Sequence, residues 1–82
     1  MSLYYLSDRY LPKYAQAIDL TTTDYENNDF VIYVGGTGDI KVDMQEKGTV
    51  TFKDVPQGQF LTIKAKKIYR IGTSATELLA CW

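Results

Sequence analysis

The chain has 82 residues and a formal net charge of −1, with 45% hydrophobic and 23% charged residues, a composition typical of one small globular domain. One cysteine and no histidine exclude an internal disulfide and the usual zinc ligand sets. The charge balance gives no basic excess to attract nucleic acid, and the sequence shows neither a membrane-spanning apolar stretch nor a signal-peptide pattern.

The small size predicts a marginally stable monomer. A chain of this length buries only about 60–65% of the surface that it exposes when unfolded. Such domains usually depend on a disulfide, a metal or a partner subunit. Since the first two lack suitable residues, we expect a partner subunit and no cofactor or metal ion.

Residues 1–18 are predicted to form an N-terminal arm. They hold four of the seven tyrosines. Two interpretations stay open: a short helix lying on its own domain, or an arm that docks on a neighbouring subunit, since tyrosine combines a large contact area with a polar tip. With the terminal tryptophan, the second interpretation assigns oligomer or partner contacts to Leu3, Tyr4, Tyr5, Leu6, Tyr10, Leu11, Tyr14 and Trp82.

Residues 19–82 are predicted to form a single β-domain. Apolar runs and period-two alternation, separated by turn residues, are typical of strands. The predicted strands cover residues 30–34, 40–44, 49–53, 59–65, 68–71 and 78–82. The fourth and fifth are continuous if a bulge lies at Lys66-Lys67, where the alternation slips. The fold class is all-β: a small antiparallel sandwich or barrel of five to seven strands with an N-terminal arm.

The glycine-rich segment 35–39 invites comparison with a phosphate-binding loop. Such a loop opens a helix and usually ends in a lysine and a hydroxyl residue. Here Asp39, with the same sign of charge as phosphate, is followed by a strand pattern. We therefore predict a hairpin turn.

Two other groups of residues are candidates for chemistry. Asp19, Asp24, Glu26 and Asp29 miss the spacing of a calcium loop, and we interpret them as a solvated loop. Cys81 lies in an apolar strand, typical of a small buried hydrophobe, and no histidine is present to activate it or a serine. We therefore expect no catalytic residues and no enzyme.

One basic cluster supports an alternative function. On a small β-barrel, cations that contact phosphates and aromatic rings that stack on bases bind single-stranded nucleic acid. Lysines alternating with apolar residues are also typical of an exposed sheet face, and the net charge of −1 favours that interpretation. A third possibility is a glycan- or receptor-binding module that uses exposed tyrosines. The alternative nucleic-acid face consists of Phe60, Lys64, Lys66, Lys67, Tyr69 and Arg70.

Several segments of the β-domain together form a recognisable pattern: Tyr33 to Val42, Thr49-Val50-Thr51-Phe52, Val55 to Leu61, then Ile63, Lys67 and Ile68, and Gly72 to Thr76 with the closing run Leu78 to Trp82. With these segments the β-domain resembles small virion proteins of tailed phages and gene transfer agents, of the head-spike base type. The similarity covers roughly residues 19–82 and leaves out residues 1–18.

The resemblance implies a non-enzymatic structural role in a virion. The expected protein is a homo-oligomeric β-domain, made in the host cytoplasm, that joins or decorates capsid, spike or fibre proteins on the particle. The partners implied are copies of itself and other virion proteins, with no membrane, and nucleic acid is not expected among them. The resemblance transfers no catalytic residue.

Overall fold

The computed structural model describes residues 12–82, which form six antiparallel strands in one sheet. The strands are β1 (Ala15–Ala17), β2 (Tyr25–Gly36), β3 (Gly38–Met44), β4 (Thr49–Val55), β5 (Gln59–Ile68) and β6 (Thr76–Cys81). Their order across the sheet is β1-β6-β2-β5-β3-β4. No helix occurs within residues 12–82. The predicted all-β fold class is confirmed.

The sheet folds over a single apolar core. On β2 every second side chain from Phe30 to Val34 is buried, as expected where side chains alternate between two faces. On β3 the side chains of Ile40 and Val42 are 0% exposed. The segment that enters β6 forms backbone hydrogen bonds with the start of β3, although β2 and β5 lie between β6 and β3 in the sheet. The sheet therefore curves back on itself, as in small sandwiches and barrels.

Bulges in the central strands contribute to this curvature. Lys66 is the residue left over when β5 pairs with β3, so the bulge predicted at Lys66-Lys67 is confirmed. On the other side of β5, the register of β2 shifts before Phe30, where Asp29 has a φ of 53°. An extra residue in one strand bends it and increases its twist.

The glycine-rich segment is a corner between strands, and the predicted hairpin turn is wrong. β2 runs to Gly36 and β3 starts at Gly38, but the two strands do not pair. The corner packs against the segment that enters β6. A Cβ on Gly38 would lie 2.5 Å from the backbone nitrogen of Ala75. The close approach of two backbones therefore requires glycine here.

Two other predicted boundaries also differ from the structure. Glu26 and Asp29 lie within β2, so the solvated loop predicted there is wrong from residue 25 onward. At the end of β5 the strand stops at Ile68, so the strand predicted over residues 68–71 is wrong beyond its first residue. The N–H of Tyr69 still donates to the Lys41 carbonyl of β3, and the next N–H, that of Arg70, donates instead to a carboxylate oxygen of Asp24.

The predicted arm overlaps the sheet. Residues 1–11 lie outside the described part of the chain, and so do the predicted contacts Leu3, Tyr4, Tyr5, Leu6, Tyr10 and Leu11. Within the rest of the predicted arm, β1 pairs with β6, with Ala15 opposite Cys81. The sheet therefore begins before the predicted boundary at residue 19.

Candidate functional site

Tyr14 and Trp82 are the two predicted contact residues that the structure describes, and they lie side by side. The backbone N–H of Tyr14 donates to the Trp82 carbonyl at 2.8 Å, and the N–H of Trp82 donates to the Tyr14 carbonyl at 3.0 Å. Their rings stack with centroids 5.8 Å apart and an interplanar angle of 26°. We call this pair the aromatic edge.

Both rings of the aromatic edge stay exposed, at 64% for Tyr14 and 41% for Trp82. The alternation of β6 puts Trp82 on the same side as the buried Leu78 and Ala80. Trp82 follows the last residue of the strand, however, and lies past the end of the core. Tyrosine and tryptophan are enriched at protein interfaces and among the residues that dominate binding energy. The aromatic edge is therefore suited to contact another protein.

The basic cluster lies opposite acidic residues of β2 and of the position just before it. Lys64 Nζ is 3.9 Å from a carboxylate oxygen of Asp29, and Lys67 Nζ is 3.5 Å from Asp24 and 3.9 Å from Glu26. The backbone N–H of Arg70 donates a hydrogen bond to the Asp24 carboxylate and holds its pKa below the usual value. Exposed ion pairs contribute little to stability, but these carboxylates reduce the positive potential that a phosphate backbone would meet.

Tyr69 is held within the fold by polar neighbours. Its ring centroid is 5.0 Å from Lys41 Nζ and 4.8 Å from Lys67 Nζ, and its hydroxyl donates to the Asp43 carboxylate at 3.0 Å. Cations at this distance are attracted to the ring face. The ring is therefore engaged by two lysines of its own chain.

The structure does not gather the predicted nucleic-acid face into one site. Lys64, Lys66 and Lys67 lie in the second half of β5, with Tyr69 and Arg70 just beyond its end. Phe60 lies near the start of β5, where its ring meets Tyr33 edge-on at 5.1 Å between centroids. At about 3.3 Å per residue, the length of β5 separates the two aromatic residues of the predicted face.

Two carboxylates of β3 connect it to β4, and sequence reasoning missed them. Asp39 accepts a hydrogen bond from the Asp54 backbone N–H at 2.9 Å, which lowers the pKa of the Asp39 carboxyl. Asp43 accepts from the Thr49 hydroxyl, which together with Tyr69 lowers the pKa of Asp43. Their alternation with the apolar residues of β3 indicates the outer face, but no sequence pattern identifies their partners.

Cys81 is buried, and burial raises the pKa of its thiol. The prediction of a small buried hydrophobe is confirmed. Within the described part of the chain, no group of three or more acidic or cysteine side chains is arranged to hold a metal ion. Over the same residues, no helix is long and apolar enough to cross a membrane.

Comparisons with protein-family models, with curated proteins and with solved structures give no match for this chain. The aromatic edge is the candidate site, because its large rings stack on each other and are exposed at the same time.

Proposed function

We propose that this protein is a non-enzymatic structural subunit of a phage-type particle, a homo-oligomeric β-domain that joins or decorates other virion proteins. The observation that carries the association part is the exposed, stacked pair of Tyr14 and Trp82. The virion part is supported by the resemblance over residues 19–82. The two parts are tested separately.

The aromatic edge is preorganised for association. Ordering a side chain at an interface costs about 0.5–1.5 kcal/mol, and the two rings already restrict each other by stacking. Reciprocal backbone hydrogen bonds between Tyr14 and Trp82 hold the two chain segments that carry them. A partner that covers the rings therefore gains the apolar contact at a reduced entropic cost.

The size of the domain favours copies of itself as the first partner. A domain of 82 residues has a small core and gains stability by mass action when subunits associate. Closed symmetric homo-oligomers are the commonest soluble assemblies. A ring or cluster of copies would then present repeated surfaces to the other proteins of a particle.

The association part is tested by molar mass from light scattering after size exclusion. We expect an oligomer for the unaltered chain and a smaller species, or a dissociation constant at least tenfold higher, for the double variant Tyr14→Ala/Trp82→Ala. The matched control is Ile71→Ala, which truncates an apolar side chain that is 72% exposed and lies outside the aromatic edge. A monomer at all concentrations, or equal masses for all three proteins, would contradict the proposal.

The virion part is tested in the organism that encodes the chain. Particles purified on a density gradient should carry the protein in a fixed copy number per particle after a high-salt wash. The matched control is an unrelated cytoplasmic protein of the same host, which should be removed by the wash. Absence of the chain from intact particles would overturn the virion assignment and leave the association result unaffected.

A further inference from the structure

The outer strand β4 has an apolar face that its own sheet does not cover. Val50 of β4 lies directly opposite Val42 of β3, but Val42 is 0% exposed and Val50 is 41% exposed. Phe52, opposite the fully buried Ile40, is only partly buried. Among residues 12–82, β4 pairs with β3 alone. One side of the strand is therefore open, next to two large apolar side chains.

The hydrogen-bond pattern tells which backbone groups of β4 point outward. The N–H of Met44 donates to the carbonyl of Gly48 at 2.8 Å. In an antiparallel pair, residues that exchange hydrogen bonds alternate with residues that do not. Val50 and Phe52 therefore direct their backbone groups toward β3. The outward-pointing groups belong to Thr49, Thr51 and Lys53.

We propose that β4 pairs antiparallel with β4 of a second copy of this chain, with Thr51 opposite the partner's Thr51. In this register Thr49 faces the partner's Lys53, so all outward-pointing backbone groups from residue 49 to residue 53 meet partners. Val50 then faces the partner's Phe52 in a pair that exchanges no hydrogen bonds. Side chains approach most closely in such pairs, so the exposed Val50 and the partly buried Phe52 cover each other.

The boundaries of the strand select this register. Gly48, at a φ of 109°, and Asp54, at a φ of 52°, bound the regular part of β4. Centring the pair on Val50 would place Phe52 opposite the partner's Gly48. Centring it on Phe52 would place Val50 opposite the partner's Asp54. Only the register centred on Thr51 pairs the whole regular segment and keeps apolar side chains opposite apolar ones.

The charges fit the same arrangement. A lysine on an edge strand usually discourages pairing, but here the two copies of Lys53 lie at opposite ends of the ladder, about 14 Å apart at about 3.4 Å per residue. Each lysine faces the partner's Thr49, whose hydroxyl bonds to Asp43 of its own subunit. Lys53 Nζ lies 3.5 Å from a carboxylate oxygen of Asp39 in its own subunit, so each cation already has a carboxylate partner and the pairing brings no like charges together.

This interface goes beyond the proposed function, because it names a second surface and does not use the aromatic edge. It is an isologous contact, in which the same residues of both copies meet across a twofold axis. Together with the aromatic edge it would allow an assembly larger than a dimer. Each surface is expected to respond to its own variants.

The register is tested by disulfide cross-linking in a Cys81→Ala background, where the introduced cysteine is the only thiol. Residues that exchange hydrogen bonds across antiparallel strands have Cα atoms about 5.5 Å apart, within the range of a disulfide. Thr51→Cys should therefore give a covalent dimer under mild oxidation at least tenfold faster than the matched control Lys53→Cys. A mixture of Thr49→Cys and Lys53→Cys proteins should give the heterodimer. Equal rates for Thr51→Cys and Lys53→Cys, or no covalent dimer at all, would overturn the proposal.

A second variant tests the pairing without a covalent bond. Thr51→Pro removes an N–H that points outward and no hydrogen bond to β3, and proline is tolerated on edge strands. We expect a folded protein whose dissociation constant is at least tenfold higher. If Thr51→Pro dissociates the assembly and Tyr14→Ala/Trp82→Ala does not, the β4 interface is supported and the aromatic edge is overturned. The reverse result overturns the β4 interface and supports the aromatic edge.

Discussion

Strands β3 and β4 have similar sequences but opposite environments. Each alternates large apolar residues with polar ones, and Ile40 and Val42 of β3 lie opposite Phe52 and Val50 of β4. Ile40 and Val42 of β3 are completely buried, whereas Val50 of β4 is 41% exposed. The difference follows from position, because β3 pairs with β5 and β4 while β4 has only β3 beside it within the described residues.

This comparison shows that alternation defines the face of a strand but not how deeply that face is buried. Depth depends on what packs on either side of the strand. For β3, the additional cover comes from the segment that enters β6, where the backbone N–H groups of Ser74 and Ala75 donate to the Asp39 carbonyl. For β4, residues 12–82 supply no second neighbouring strand, and we propose that a second copy of the chain provides it.

The largest effect is expected where β3 begins. A Cβ added in Gly38→Ala would lie 2.5 Å from the nitrogen and 2.6 Å from the Cα of Ala75, so one backbone segment has to move. Overpacking of this kind costs about 3 kcal/mol. The control at the turn before β4 is Gly48→Ala, where nothing lies within 4 Å and only the φ of 109° opposes alanine, at about 1–2 kcal/mol. Urea denaturation should separate the two, and equal losses would contradict the close packing of the corner.

A matched pair of valines measures the difference between the strands directly. Val42→Ala should lower the free energy of unfolding by about 2–3 kcal/mol, because it leaves a cavity in the core. Val50→Ala, directly opposite, should cost about 0.5–1 kcal/mol in dilute solution because the side chain is already partly in water. If β4 pairs with a second copy, the loss for Val50→Ala increases with protein concentration and the loss for Val42→Ala does not. Equal losses in dilute solution would contradict the assigned burial.

The comparison also marks how far the sequence predicts the fold. Alternation alone identifies β3, β4 and most of β5, and the slipped period at Lys66 identifies the bulge. The sequence prediction fails at the corner between β2 and β3, because glycines such as Gly36 and Gly38 are also typical of a hairpin turn. Their actual requirement is a close approach to Thr76 and Ala75 respectively, about 40 positions later in the chain. Alternation fails again at Glu26, because the local sequence pattern does not show that this residue pairs with β5.

The candidate site was also predictable only in part, because strand pairing is not visible in the local sequence. The density of large aromatic residues near both chain ends indicated Tyr14 and Trp82, and the structure places them in contact. Nothing in the local sequence indicates that β1 pairs with the last strand, which is what brings the two rings together. The outward direction of the Thr51 backbone groups is likewise inferred from the structure, from the hydrogen bond that the Met44 N–H of β3 donates to the Gly48 carbonyl.

A smaller effect is expected from acid, which weakens the connections from β3 to β4. The carboxyl pKa values of Asp39 and Asp43 lie below the ordinary value of 3.8 in the folded protein. The folded state therefore binds fewer protons than the unfolded state near that pH, and stability decreases as the pH falls through and below it. The unfolding midpoint should be nearly constant from about pH 7 to pH 5 and decrease below about pH 4.

Asp39→Asn identifies one source of this acid sensitivity. It should lower the midpoint at neutral pH and make the decrease in acid shallower. Glu46→Gln, an exposed carboxylate in the same hairpin, is the control and should change neither quantity. An acid profile for Asp39→Asn that is parallel to that of the unaltered chain would rule out this carboxylate as a source.

The smallest effect concerns the point at which β4 ends. Asp54 has a φ of 52°, a left-handed conformation that costs a residue with a Cβ roughly 1 kcal/mol. Asp54→Ala keeps that cost and loses the tolerance that aspartate has for this region, so we expect a loss of about 0.5–1 kcal/mol. Asp54→Gly relieves the strain but adds freedom to the unfolded chain, and it should stay within about 0.5 kcal/mol of the unaltered protein. Both variants keep the backbone N–H that Asp39 accepts. A difference between them in urea denaturation therefore reports the preference for the left-handed backbone conformation and not the hydrogen bond, and identical stabilities would contradict the strain assigned to Asp54.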